Sequence, residues 1–270
     1  MAKTKEQINR EDLTYSMLRK VIIRADFTPM LDLDAMVSDI NSKEWFQGKF
    51  NNFERRLLQV KNDDPKGRNL DEAKVMEGQV VKRFDDCNIV PERNVSLDIS
   101  SEFVVLEIRC DEKYTTIDDY LELMTNIVHH IFSKDAYVKL ERIAIRKTDG
   151  MEFEDGGKAD EVFEYFDQKV VEDGDQFRLR SYTDSFLYGK RSVLVHYNRT
   201  VRVTNGNPTL LIFLLDVDAF LDRSFIENRR PDREEIWSIF YERLNKTCFD
   251  LFKLGVKEKF LNDNLKKKND

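Results

Sequence analysis

Apolar residues recur at every second position in three well-separated stretches, and this period of two constrains the fold more than any other feature of the chain. Val21, Ile23, Ala25 and Phe27 alternate with Arg24 and Asp26. Val104, Leu106, Ile108 and Cys110 alternate with Glu107 and Arg109, and Val193, Val195, Tyr197, Val201 and Val203 alternate with His196, Asn198, Thr200 and Arg202. Successive side chains of a strand point to opposite faces, so each run predicts a strand with one buried and one solvated face, the habit of antiparallel sheet. Further strands are expected at 53–60, 79–84, 95–99, 137–147, 177–181 and 209–217. The polar stretch 61–74 reads as a long hairpin loop, and Asn205-Gly206-Asn207-Pro208 as the turn between the last two strands.

Helical spacing appears in fewer places. Leu33, Met36, Val37 and Ile40 share a stripe behind a capping Asp32 or Asp34. Ile117, Tyr120, Leu121, Met124, Ile127, Val128 and Ile131 form the clearest helical face, with Thr116 as the expected cap. A third helix is expected to carry Val162, Phe163, Phe166 and Val170. Pro231 and Asp232 open a long fourth helix with a buried stripe at Ile236, Phe240, Leu244, Cys248 and Leu251, which Gly255 stops or kinks.

Strands segregated from helices predict an α+β fold: a curved, mostly antiparallel sheet covered on one side by two long helices. Hydrophobic residues make up 41% of the 270 and charged residues 35%, with only 5 Pro, so the chain can bury a large core. It reads either as one unit over 1–270 or as two similar, intimate halves, 15–150 and 151–262, with a flexible tail at 263–270.

The formal net charge of -7 argues against coating nucleic acid or an anionic membrane by bulk charge. No apolar run approaches bilayer length and the amino-terminal residues lack the apolar stretch of a signal peptide, so a cytoplasmic protein without membrane contact is expected. Cys87, Cys110 and Cys248 are far apart and show no paired spacing, which suggests neither a disulfide framework nor a zinc site.

Val21-Ile22-Ile23-Arg24-Ala25-Asp26-Phe27, Leu140-Glu141-Arg142-Ile143-Ala144-Ile145-Arg146, Leu215-Asp216-Val217-Asp218-Ala219-Phe220 and the helix from Leu244 to Phe252 together resemble a sporadically distributed family of uncharacterised prokaryotic proteins of similar length. The resemblance spans nearly the whole chain and implies a single family unit. It supplies no catalytic residues. The family's patchy distribution implies an accessory or regulatory role in a prokaryotic defence or mobile-element system.

The strongest local anomaly in this acidic chain lies between Phe177 and Thr204, where Arg178, Arg180, Lys190, Arg191, Arg199 and Arg202 face a single acid, Asp184. Arg178, Arg180, His196 and Arg202 are the candidate anion-binding residues, on a polar strand face that could instead be solvated and paired internally. His129-His130 is a poor metal pair, because adjacent helical residues point in different directions. Asp216 and Asp218 could serve phosphoryl transfer only with a third ligand, and they fit the polar end of a strand more simply. No nucleophile elbow, phosphate loop or dinucleotide fingerprint occurs, so no catalytic residue, metal or cofactor is assigned. The reading is a noncatalytic binding protein acting through a protein partner or homo-oligomer. The alternative is a nucleic-acid or nucleotide-binding protein, with or without hydrolytic activity, using the basic face Arg178 to Arg202.

Overall fold

The alternation at Val21 to Phe27 becomes β1 (Leu18–Phe27), which lies near the middle of the molecule rather than at its edge. The structure is a computed structural model and describes residues 3–14, 16–58, 79–89, 94–110, 116–154, 159–164, 179–204 and 207–264. Among these, nine strands form one antiparallel sheet: β1, β2 (Phe50–Leu58), β3 (Gln79–Cys87), β4 (Val95–Ser100), β5 (Phe103–Arg109), β6 (Leu140–Phe153), β7 (Leu179–Tyr188), β8 (Val193–Thr204) and β9 (Asn207–Asp222). Their spatial order is β2-β3-β4-β5-β1-β6-β9-β8-β7, so the chain is α+β and antiparallel, as the alternation predicts. From the central β1–β6 ladder the order runs outward through one meander on each side, and β6 itself passes through residue 150.

The parity of the pleat sorts the side chains. Val21, Ile23 and Ala25 of β1 stand opposite Lys147, Ile145 and Ile143 of β6, and Ile145 stands opposite Ala219 of β9. This face carries the main core, joined by Tyr120, Leu121, Met124, Ile127, Val128 and Ile131 of α2 (Asp118–Lys134). Each such buried aliphatic side chain contributes roughly 1.5–3 kcal/mol relative to exposure. Helix α1 (Leu33–Asn41) begins as expected at Asp32, whose Oδ1 accepts the Ala35 amide at 3.0 Å. In α2 the N-cap is Ile117, one residue later than expected, and Thr116 Oγ1 instead accepts the Asp118 amide at 3.2 Å.

The expected third helix is a single turn, α3 (Ala159–Val162), and Phe166 and Val170 lie outside the described residues, as do 61–74, the Asn205-Gly206 part of the expected turn and tail residues 265–270. The expected long fourth helix is three segments: α4 (Arg233–Ser238), a π-helical stretch (Ile239–Asn245) and α5 (Lys246–Gly255), followed by α6 (Glu258–Asp263). Ile236, Phe240, Leu244 and Cys248 explain the change of winding. A strict four-residue step drifts by about 40° per step on an α-helix of 3.6 residues per turn. The wider π turn removes that drift and keeps all four residues buried on the sheet.

A second core cluster joins the two ends of the described chain: Ile8, Leu13 and Met17 pack with Phe163, Phe213, Leu215, Phe252, Val256 and Leu261. Among the described residues, no helix is long and apolar enough to cross a membrane.

Candidate functional site

The predicted anion-binding quartet is divided. Arg178 lies outside the described residues. Arg180 stands opposite Val201 in the β7–β8 ladder, whereas Arg202 stands opposite Leu179, so Arg180 occupies the alternate register from Arg202 and His196. The hairpin register, which the sequence does not display, separates these backbone positions. His196 and Arg202 do share the face away from the helices, with Asn198 and Thr200 between them. The His196 ring packs on Phe220 with centroids 5.0 Å apart, and its Nδ1 lies 2.8 Å from Ser185 Oγ. Arg202 is exposed and lines an open hollow of about 480 Å3 together with Arg19, Arg146, Asn198 and Asp216.

Three of the six cations of the basic stretch hold carboxylates. Arg191 and Lys190 approach Asp250 of α5 at 2.6 and 3.6 Å, and Arg199 meets Asp184 at 3.1 Å. Burial alone would raise Asp250, yet the hydrogen bond and charge of Arg191, with Lys190 and Lys253, hold its carboxyl below the usual range.

Asp216 and Asp218 do not mark the end of a strand. Strand β9 runs on to Asp222, and both carboxylates sit within the sheet opposite Thr148 and Arg146. Arg146 Nε donates to Asp216 Oδ1 at 2.8 Å, and Arg142 Nη2 donates to Asp218 Oδ2 at 3.0 Å while its guanidinium lies 4.6 Å from the centre of the Phe220 ring. Arg24 Nε on the neighbouring strand donates to Asp26 at 2.8 Å, continuing a row of alternating charge across the sheet. Burial pushes Asp218 up to about 6 against the pull of Arg142 and Arg146. With both carboxylates taken by guanidinium groups, this row holds the face together rather than presenting a metal pair.

The two histidines also separate. His130 is buried, with Nε2 2.7 Å from Asp39 Oδ2 of α1, and burial lowers it below the ordinary imidazole value despite that carboxylate. Asp39 also takes Lys43 at 3.0 Å and Lys134 at 3.2 Å, whose hydrogen bonds hold it far below the usual carboxylate range. No group of three or more metal-ligating side chains occurs among the described residues.

A different site escaped sequence reasoning. Between the sheet and the helical rod made of α4, the π-helical stretch and α5 lies a cavity of about 320 Å3 lined by Lys147 and Asp149 of β6, Arg10, and Tyr241 and Asn245 of the π-helical stretch. Lys147 Nζ donates to Asn245 Oδ1 at 2.6 Å. Burial pulls the Lys147 amine down, and pushes Asp149 up to about 6 against Arg10 and Lys147. Cys248 also lines the cavity, but burial pushes its thiol up to about 12 and it donates weakly to Ile145 O at 3.5 Å, so it is an inert core group. One signal was present in the sequence: Ile143, Ile145, Lys147 and Asp149 share one parity, so two charged residues continue a buried row.

Among the described residues, neither outer strand of the sheet is paired on its outer side. Residues 51–57 of β2 and 181–187 of β7 are exposed on both faces, with Phe53 and Leu57 on one edge and Tyr182, Phe186 and Leu187 on the other. Neither family models nor curated proteins give a match to this chain.

Proposed function

We propose that the chain is a noncatalytic binding protein that engages a protein partner, in the simplest case a second copy of itself, by adding a strand to the edge at β7. The observation that carries this reading is the exposure of Tyr182 (53%), Phe186 (37%) and Leu187 (50%) on a ten-residue strand that, among the described residues, pairs with β8 alone. A long outer strand with exposed apolar side chains and no proline is what soluble proteins avoid unless something covers it. Backbone pairing would supply affinity and the three side chains register. An accessory place in a prokaryotic defence or mobile-element system rests on the family resemblance alone. The outward meanders on either side of β1–β6 support reading the chain as two similar halves under two helical rods.

Light scattering on the purified chain tests the proposal. The expected result is a mass of two chains at micromolar concentration, reduced to one by the double variant Phe186→Lys, Leu187→Lys. A single-chain mass for the unaltered protein, with no stoichiometric partner after purification from its native host, would overturn it.

A further inference from the structure

The cavity under the helical rod is built unlike a packing defect. Packing voids in cores are apolar and small. This one has volume for a ligand of roughly ten heavy atoms and is lined by charges of both signs. Lys147 and Asp149, two residues apart on β6, enter it from the sheet, and Arg10 closes it from the amino-terminal segment. Leu18, Ile117, Phe249 and Phe252 supply an apolar wall. The rod abandons α-helical winding over Ile239–Asn245, and this stretch contributes Tyr241 and Asn245 to the lining. Interruptions of this type recur at functional sites because they re-aim side chains at a cost in regular hydrogen bonding.

We propose that this cavity binds a small zwitterion with an apolar side group, a free amino acid of aromatic or branched type. Its carboxylate meets Lys147 and Arg10, its ammonium meets Asp149, and its side group lies against Phe249 and Phe252. A ligand bearing both charges satisfies the cation and the acid together. A simple anion brings Asp149 a like charge, and a simple amine brings one to Lys147 and Arg10; such mismatches inside a protein are costly.

Calorimetric titration of the full chain with phenylalanine and leucine tests the site, with phenylpropionate and phenethylamine as probes lacking one charge each. Binding of an amino acid is expected, with each single-charge probe at least tenfold weaker. Lys147→Met and Asp149→Asn, checked for cooperative unfolding in urea, are each expected to lose tenfold or more, and Leu187→Lys to bind as the unaltered chain does. That last variant separates this site from the sheet edge, since loss of association leaves the cavity intact. Absence of binding by both amino acids, or equal binding of phenylalanine and either single-charge probe, overturns the assignment without reference to any variant.

Discussion

Tyr197 and Gly255 meet so closely that a β-carbon at Gly255 would lie 2.3 Å from the Tyr197 hydroxyl oxygen and 2.8 Å from Leu215 Cδ1. The absence of a side chain there lets the end of α5 settle onto β8 and β9. Gly255→Ala is therefore expected to destabilise the fold by roughly 1–3 kcal/mol, the cost of overpacking a close contact. Urea unfolding measures it. Tyr197→Phe in the same chain should recover part of the loss, and a loss with no recovery would place the clash on Leu215 instead.

The buried acid of the charge row has an unusual pH signature. Asp218 titrates at about 6 in the folded chain against 3.8 as its ordinary value. Between those values the folded state retains a proton that the unfolded state has released. The contribution to stability is therefore full below about 3.8 and lost as pH rises through about 6. Compared with Asp218→Asn, the unaltered protein should lose on the order of 1–3 kcal/mol between pH 4 and pH 7. Urea midpoints at the two pH values provide the comparison, and a difference that does not change with pH would mean that the arginines outweigh burial.

His130 should behave in the opposite sense. Burial lowers its value below 6.5, so the stability it contributes is present above 6.5 and lost as pH falls through the lowered value. Nuclear magnetic resonance titration of the His130 ring should give a midpoint below 6.5. A midpoint above it would assign the larger effect to Asp39.

Lys253 links the two ends of the described chain. Its buried Nζ donates to Ile8 O at 3.1 Å and lies 3.6 Å from Asp250 Oδ1. Lys253→Met keeps the stem but removes the donor, with an expected loss of about 1–3 kcal/mol because the Ile8 carbonyl loses its partner. Limited proteolysis should then cut within residues 3–17 before it cuts elsewhere. Unchanged protection there would mean that Ile8 and Leu13 hold the segment by packing alone.

What the sequence made legible was periodicity with one-sided burial. The strand at Val21 to Phe27 and the helix through Tyr120 and Ile131 obey one period each and bury one face each. Asp216 and Asp218 were misread because a carboxylate in an apolar strand signals its end unless a cation waits opposite. The cations, Arg146 and Arg142, come from about 70 residues earlier in the chain. The pairing of Arg180 with Val201 was hidden for a related reason: a hairpin's register is fixed by its turn and by packing, and one residue of slip changes every pairing. The π-helical stretch left a trace in the strict spacing of Ile236, Phe240, Leu244 and Cys248, which fits a buried stripe well enough to pass for an ordinary helix. The cavity was hidden because its walls come from segments that touch only after folding.

The joining of the two ends has a consequence for biosynthesis. Lys3 bonds Asn262, Thr14 bonds Asn264, and Ile8 sits under Lys253, so residues 3–14 complete their contacts once the stretch 253–264 is in place. During synthesis Ile8 and Leu13 stay uncovered until residues 253–264 have been made. Chaperones that hold nascent chains would meet Ile8 and Leu13 throughout that interval. Docking of residues 253–264 against residues 3–14, rather than growth of the sheet, becomes the step that commits the molecule to its native state.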